Sequence, residues 1–269
     1  MKNVKKLVSL LCAGVLAAGI FTGCAKKEVK ASAESSSRIE EIKKNGKLVL
    51  ATGDYRPFEY HDEKTNKVVG YDIDIAQKVA DKIGVPLEVK DMAFTSLIPT
   101  IQNGQADLVI AALYITDERK QVIDFADPYL KSGQIIVTDK NSSINTSKDL
   151  EGKKVGAKFG ATSAAVVQGL IDKGAKIQLV TYKTNEEMLA DLEIGRLDAG
   201  INDKLYQLQY NSTHPSLTIH DEVLKEAELG IGVKKGDTGL IEVVNEVLKE
   251  LKDSGEADSI YKKWIPAQK

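Results

Sequence analysis

"SLIPTIQNGQADLVIAA" at residues 96–112 and "EMLADLEIGRLDAGIND" at residues 187–203 decide the fold. The two segments align without a gap, Ile101 on Leu192, Gly104 on Gly195, Asp107 on Asp198 and Ile110 on Ile201. Each reads as a helix, a glycine that stops it, an aspartate and a buried strand. Any helix-to-strand corner of an α/β protein shares part of this pattern. Agreement of both spacing and residue type along the whole segment points instead to an internal repeat, and hence to two similar lobes.

The rhythm continues on either side of both copies. "KLVLAT" (47–52) reads as a buried strand. In residues 72–83, Ile75, Val79 and Ile83 share one helical face, and Gly84 and Pro86 supply the stop. "LEVKD", "KKVGAK" and "KIQLVTY" read as further strands, and Thr184 with Glu187 forms a capping box ahead of the second repeat. Leu240, Val244, Val247 and Leu251 make a long amphipathic stripe near the end. This alternation predicts an α/β fold with mostly parallel strands. The first lobe is expected over 38–132, the second over 133–228, and the return to the first over 229–269, with "LGIGVKKG" (229–236) as a return strand. Two crossings between lobes make a hinge. Ligands of such sheets bind beyond the carboxyl ends of the strands, here "ATGDYRPF", "AALYITDER", "AKFGATS" and "INDK".

The chain of 269 residues carries a formal charge of −2. No basic excess points to nucleic acid. The first 23 residues combine Lys2, Lys5 and Lys6 with a short apolar run, "LVSLLCAGVLAAGIF", the layout of a secretory signal. Small residues precede Cys24 as in a bacterial lipobox, although Phe21 stands where leucine is usual. Cleavage before Cys24 takes three lysines and no acid, so the mature charge becomes −5. Cys24 is then the lipid attachment point, residues 24–37 a polar tether, and the mature chain has no cysteine pair for a disulfide. The expected location is extracytoplasmic, on the bacterial cell membrane.

Further landmarks stand in order along the chain: "YRPFEY", "VVGYDIDIAQKVADKIG", "FTSLIPTIQNGQADLVIAALYITDERKQVIDFADPY", "SGQ", "DLEGKKVGAKFGATS", "GRLDAGIND" and "GIGVKKGD". Together, from about Arg38 to Ile265, they resemble the bacterial extracellular solute-binding proteins of polar amino-acid ABC transporters. The resemblance implies a two-lobed, type II periplasmic-binding-protein fold with a two-strand hinge. It also implies a free amino acid as ligand, a membrane permease as partner, a monomer, no cofactor and no catalysis.

Residue by residue, the resemblance implies that Arg119 and Thr162 clamp the ligand carboxylate from opposite lobes while Asp203 takes its ammonium. It implies that Tyr55 and Phe94 form aromatic walls. The chemistry fits, because a carboxylate suits a bidentate guanidinium and the N–H groups of a helix start. Read alone, each residue has a plainer role. Arg119 reads as a solvated charge, Thr162 as an N-cap, Asp203 as the cap of a helix through Leu205 and Tyr206, and both rings as core.

This chain departs from the family at several places. Ala111 and Ala112 stand where some binders of basic amino acids carry serines, leaving the backbone of Ala112 to serve the carboxylate. Tyr114 replaces a usual serine or threonine and either narrows the pocket or supplies a phenol. The first loop is one residue short, so Asp54 has no secure counterpart and could meet a cationic side chain or cap a turn. Lys158 stands beside the cleft. Two rival functions share the fold: a cyclohexadienyl or arogenate dehydratase, with Glu59 or Asp54 as its acid, and an amino-acid sensor for a separate signalling partner. No metal-ligand spacing, nucleophile elbow, P-loop or dinucleotide fingerprint is present.

Overall fold

The computed structural model describes residues 38–265. The expected signal segment, Cys24 and the tether lie outside the described residues.

A short helix, α1 (residues 38–45), leads into β1 (Leu48–Thr52). A small hairpin, β2 (Tyr60–His61) with β3 (Val68–Val69), precedes α2 (Tyr71–Ile83) and β4 (Leu87–Asp91). Then come α3 (Leu97–Gln102), β5 (Leu108–Val109), α4 (Asp117–Val122) and β6 (Ile123–Phe125). A second set follows: β7 (Leu130–Asp139), β8 (Lys154–Lys158), α5 (Thr162–Asp172), β9 (Gln178–Tyr182), α6 (Asn185–Glu193), β10 (Ala199–Asp203), α7 (Lys204–Asn211) and β11 (Leu217–Leu229). The chain ends with β12 (Gly232–Lys234), α8 (Thr238–Asp253) and α9 (Glu256–Trp264).

These strands form two five-stranded sheets, ordered β4-β1-β5-β12-β6 and β9-β8-β10-β7-β11. The orders are equivalent. In each sheet three strands pair in parallel, a fourth runs against them, and the fifth pairs antiparallel with the fourth. The chain passes to the second sheet between β6 and β7 and returns between β11 and β12.

The repeat is a shared hydrogen-bond pattern as well as a sequence pattern. Gly104 and Gly195 end α3 and α6 with φ of 69° and 74°, the left-handed region where a side chain is strained. Three residues on, Asp107 donates its N–H to the Val49 carbonyl and accepts the Val49 N–H on its carboxylate, both at 2.8 Å. Asp198 does the same with Lys154, at 2.9 and 2.8 Å. Each aspartate thereby fixes the register of two parallel strands from the side.

Amphipathic helices cover the sheets. Ile75, Val79 and Ile83 of α2 pack with Leu240, Val244, Val247 and Leu251 of α8 over Leu48, Leu50 and Leu108. Burying one such aliphatic side chain contributes about 1.5–3 kcal/mol. In the second sheet Met188, Leu189 and Leu192 of α6 pack on Ile135 and Val137. Within "ADLVIAA" the strand covers only Leu108 and Val109, Ile110 adds one bond to Ala51 of β1, and Ala112 adopts a φ of 44°.

Candidate functional site

A small cavity lies between the carboxyl ends of the two sheets. Tyr55 enters it from the loop after β1, Phe94 from the turn after β4, and Ala111, Ala112 and Tyr114 from the segment after β5. The second sheet contributes Lys158 at the end of β8, Ala161, Thr162 and Ser163 at the start of α5, Asn185 after β9, and Asn202 and Asp203 at the end of β10. Gln134, within β7, closes the back.

The two lobes touch here. The Tyr114 phenol donates to Oδ2 of Asp203, and Tyr55 donates to Asn202 at 3.4 Å. The Tyr55 ring stacks on Tyr206 of α7 at 4.3 Å between centroids. Tyr206 stacks in turn on Tyr210, and Tyr210 on His214, so a row of rings runs outward along α7.

Asp203 is 3% exposed and caps α7, its Oδ1 accepting the N–H groups of Leu205 (2.8 Å) and Tyr206 (3.0 Å). Burial raises its pKa despite these donors. Asp203 is therefore both a helix cap and the acceptor of a bond across the cleft. Thr162 is the first residue of α5, whose N-cap is Ala161. The hydroxyl of Thr162 is buried without a partner, as are Oε1 of Gln134 and Oδ1 of Asn185. The first N–H groups of a helix have no partner within it.

Arg119 does not line this cavity. It lines an adjoining opening with Gly160, Ala161 and Thr162. Thr116 caps α4 by accepting the Arg119 N–H at 3.3 Å, which sets the direction of the arginine side chain. Its Nη1 donates to the Tyr114 carbonyl at 2.7 Å, and its guanidinium lies 5.5 Å from the centre of the Phe94 ring. Desolvation pushes its pKa down to about 10, with Glu118 opposing. The guanidinium thus sits partly buried at the edge of an opening that α5 also lines.

The expectation for the backbone of Ala112 needs correction. Its N–H donates to Oδ2 of Asp72 at 2.7 Å and cannot serve a ligand carboxylate. Asp72 also accepts from the Tyr129 phenol at 2.9 Å. Asp72 is fully buried, and burial pushes its pKa up to about 6. Its neighbour Glu59 is raised well above the usual range by burial and by Asp72. Asp72 pins Ala112, whose left-handed backbone costs about 1–3 kcal/mol. Asp54 is exposed and lies off the cavity wall.

Gln134, Asn185 and Asn202 were not anticipated as wall residues. A signal exists for each: Gln134 ends the "SGQ" landmark, Asn202 precedes Asp203 in "INDK", and Asn185 is the first helical residue of the Thr184–Glu187 capping box.

The sequence profile of the bacterial extracellular solute-binding proteins, family 3, matches residues 47–267. The chain is 33% identical over 260 residues to the arginine-binding extracellular protein ArtP of Bacillus subtilis, covering 93% of this chain and 97% of that one. It is 32% identical over 272 residues to the ABC transporter glutamine-binding protein GlnH of the same organism, covering 97% and 98%. A solved ancestral arginine-binding protein, bound to arginine, superposes with a TM-score of 0.77 at 40% identity, covering 82% of this chain and 99% of that one. The chain belongs to the bacterial extracellular solute-binding proteins, family 3.

Proposed function

We propose that this chain binds a free α-amino acid between its lobes, outside the cytoplasm, and presents it in the closed form to an ABC transporter permease. One observation carries the reading: Arg119 and the first turn of α5 face one opening from different lobes. A carboxylate seated there takes the guanidinium from one side and helix N–H groups from the other. The ligand ammonium goes to Oδ2 of Asp203 once the Tyr114 phenol turns aside. Tyr55, Phe94 and the backbone around Ala112 wall the side-chain space, with Asp54 outside it.

The energetic logic is that of a bridge. A ligand touching both lobes gives the closed state contacts that the open state lacks, and so shifts the population toward closure. The hinge lies at the crossings between β6 and β7 and between β11 and β12, so that 38–132 and 229–269 move as one lobe against 133–228. Cys24, lipidated, tethers a monomer to the membrane through residues 24–37. ArtP and GlnH, named as binding proteins, support binding rather than catalysis. So does the placement of Glu59 and Asp54, the two candidates for a dehydratase's acid, off the cavity wall.

Isothermal titration of the purified mature protein with the twenty amino acids tests the reading. Saturable binding of at least one is expected, and silence toward all twenty rejects it. Turnover of prephenate or arogenate would replace it with the dehydratase.

A further inference from the structure

Among the described residues no carboxylate forms an ion pair with Lys158, and burial lowers its pKa against the pull of Glu59, Glu186 and Asp54. Its ammonium lies 5.1 Å from the centre of the Tyr55 ring and 4.9 Å from that of Phe94, so it occupies the space between the two aromatic walls. Glu59, Glu186 and Asp54 act on it only through space. None of the three lines the cavity. Glu186 accepts the Tyr206 phenol, and Glu59 is held toward its neutral form. The one carboxylate on the cavity wall, Asp203, already accepts three donors.

Charge balance then restricts the ligand. An α-amino acid brings one carboxylate, which pairs with Arg119, and one ammonium, which pairs with Asp203. Lys158 stays unbalanced unless the ligand side chain supplies an acceptor. A second cation between the same rings would meet Lys158 at close range in a partly desolvated site, where like charges repel strongly. The ring faces that would attract that cation are already taken by Lys158. The unpartnered oxygens of Asn185 and Gln134 are acceptors in the lining of the same cavity and suit the N–H donors of a carboxamide.

We propose that Lys158 selects the ligand: the aromatic slot takes an amino acid whose side chain ends in a carbonyl oxygen, as carboxamide or carboxylate, and rejects cationic side chains. This rests on the amino-acid reading above. It separates this chain from the arginine-binding relatives that it resembles in sequence.

Titration of the wild-type mature protein with asparagine, glutamine, aspartate, glutamate, arginine and lysine tests it. At least one of the first four is expected to bind ten or more times tighter than arginine and lysine. Which of them wins separates carboxamide from carboxylate. In Lys158→Met that preference is expected to shrink at least tenfold, through weaker binding of the oxygen-bearing ligand or stronger binding of the cation. Arginine or lysine matching the best of the four in the wild type overturns the proposal and leaves the amino-acid reading standing. So does an unchanged preference in a folded Lys158→Met. If none of the twenty amino acids binds the wild type, both fall.

Discussion

The phenol of Tyr114, on the segment after β5, donates to the Asp203 carboxylate at the end of β10, and so joins the two sheets across the cleft. In the proposed binding mode a ligand ammonium takes the place of this phenol on Asp203, so that ligand entry would release the bond.

Tyr114→Phe removes the donor and leaves the ring. A hydrogen bond to a charged group contributes about 1.5–3 kcal/mol. The closed-to-open ratio of the ligand-free protein is therefore expected to fall by roughly 10- to 150-fold. Small-angle scattering should show a larger radius of gyration for the ligand-free variant than for the wild type. Equal radii would mean that this bond does not hold the lobes together.

Arg119 is partly buried, and among the described residues its side chain bonds only the Tyr114 carbonyl. Without ligand it is a desolvated cation lacking a carboxylate, which costs stability. Arg119→Met should melt at the same temperature or higher. Its amino-acid affinity should fall by about 2–5 kcal/mol, the loss typical of truncating one member of a buried charge pair. Retained affinity in the titration would remove Arg119 from the site.

Asp72 titrates near 6 in the folded chain against an ordinary 3.8. Between these values the folded state holds a proton that the unfolded state has released. This group's stabilisation is complete below pH 3.8 and is lost as pH rises through 6. At 1.36 kcal/mol per unit the loss approaches about 3 kcal/mol. Asp72→Asn cannot ionise. Urea unfolding from pH 4 to 7 should show the wild type losing stability relative to the variant by an amount of that order. A constant difference across the range would exclude the titration.

Thr184 caps α6 and accepts the Glu187 N–H at 3.2 Å, while Glu187 returns the bond to the Thr184 N–H at 3.3 Å. Thr184→Ala should cost about 1 kcal/mol. That corresponds to a fall of about 2–4 °C in Tm for a domain of this size. Calorimetry would detect it.

Local rules made much of the fold readable. The stripes of α2 and α8, the Gly84 stop and the Thr184 box depend on residues within a few positions of one another, and each formed. The repeat was legible because Asp107 and Asp198 perform the same task in both copies. The state of the site was less so. Whether Asp203 is free depends on Tyr114, 89 residues away, and the Ala112 N–H is committed to Asp72, 40 residues away. Gln134 ends the "SGQ" landmark, but its place in the cavity lining comes from packing, because it sits mid-strand in β7 and not in a strand-end loop. Composition marked Lys158 only as a charge near the cleft. That it rests between two rings, with no ion-paired carboxylate among the described residues, emerges from packing alone.

The row of rings from Tyr55 through Tyr206 and Tyr210 begins on one lobe and continues on the other. The proposed hinge opening would break its first stack and leave the second intact. The protein thereby carries its own optical gauge. Its one tryptophan, Trp264, packs against Tyr60 in the first lobe and bonds Asp74 there. Near-ultraviolet dichroism in the tyrosine band should follow closure while the tryptophan band stays still, so ligand screening needs no attached dye.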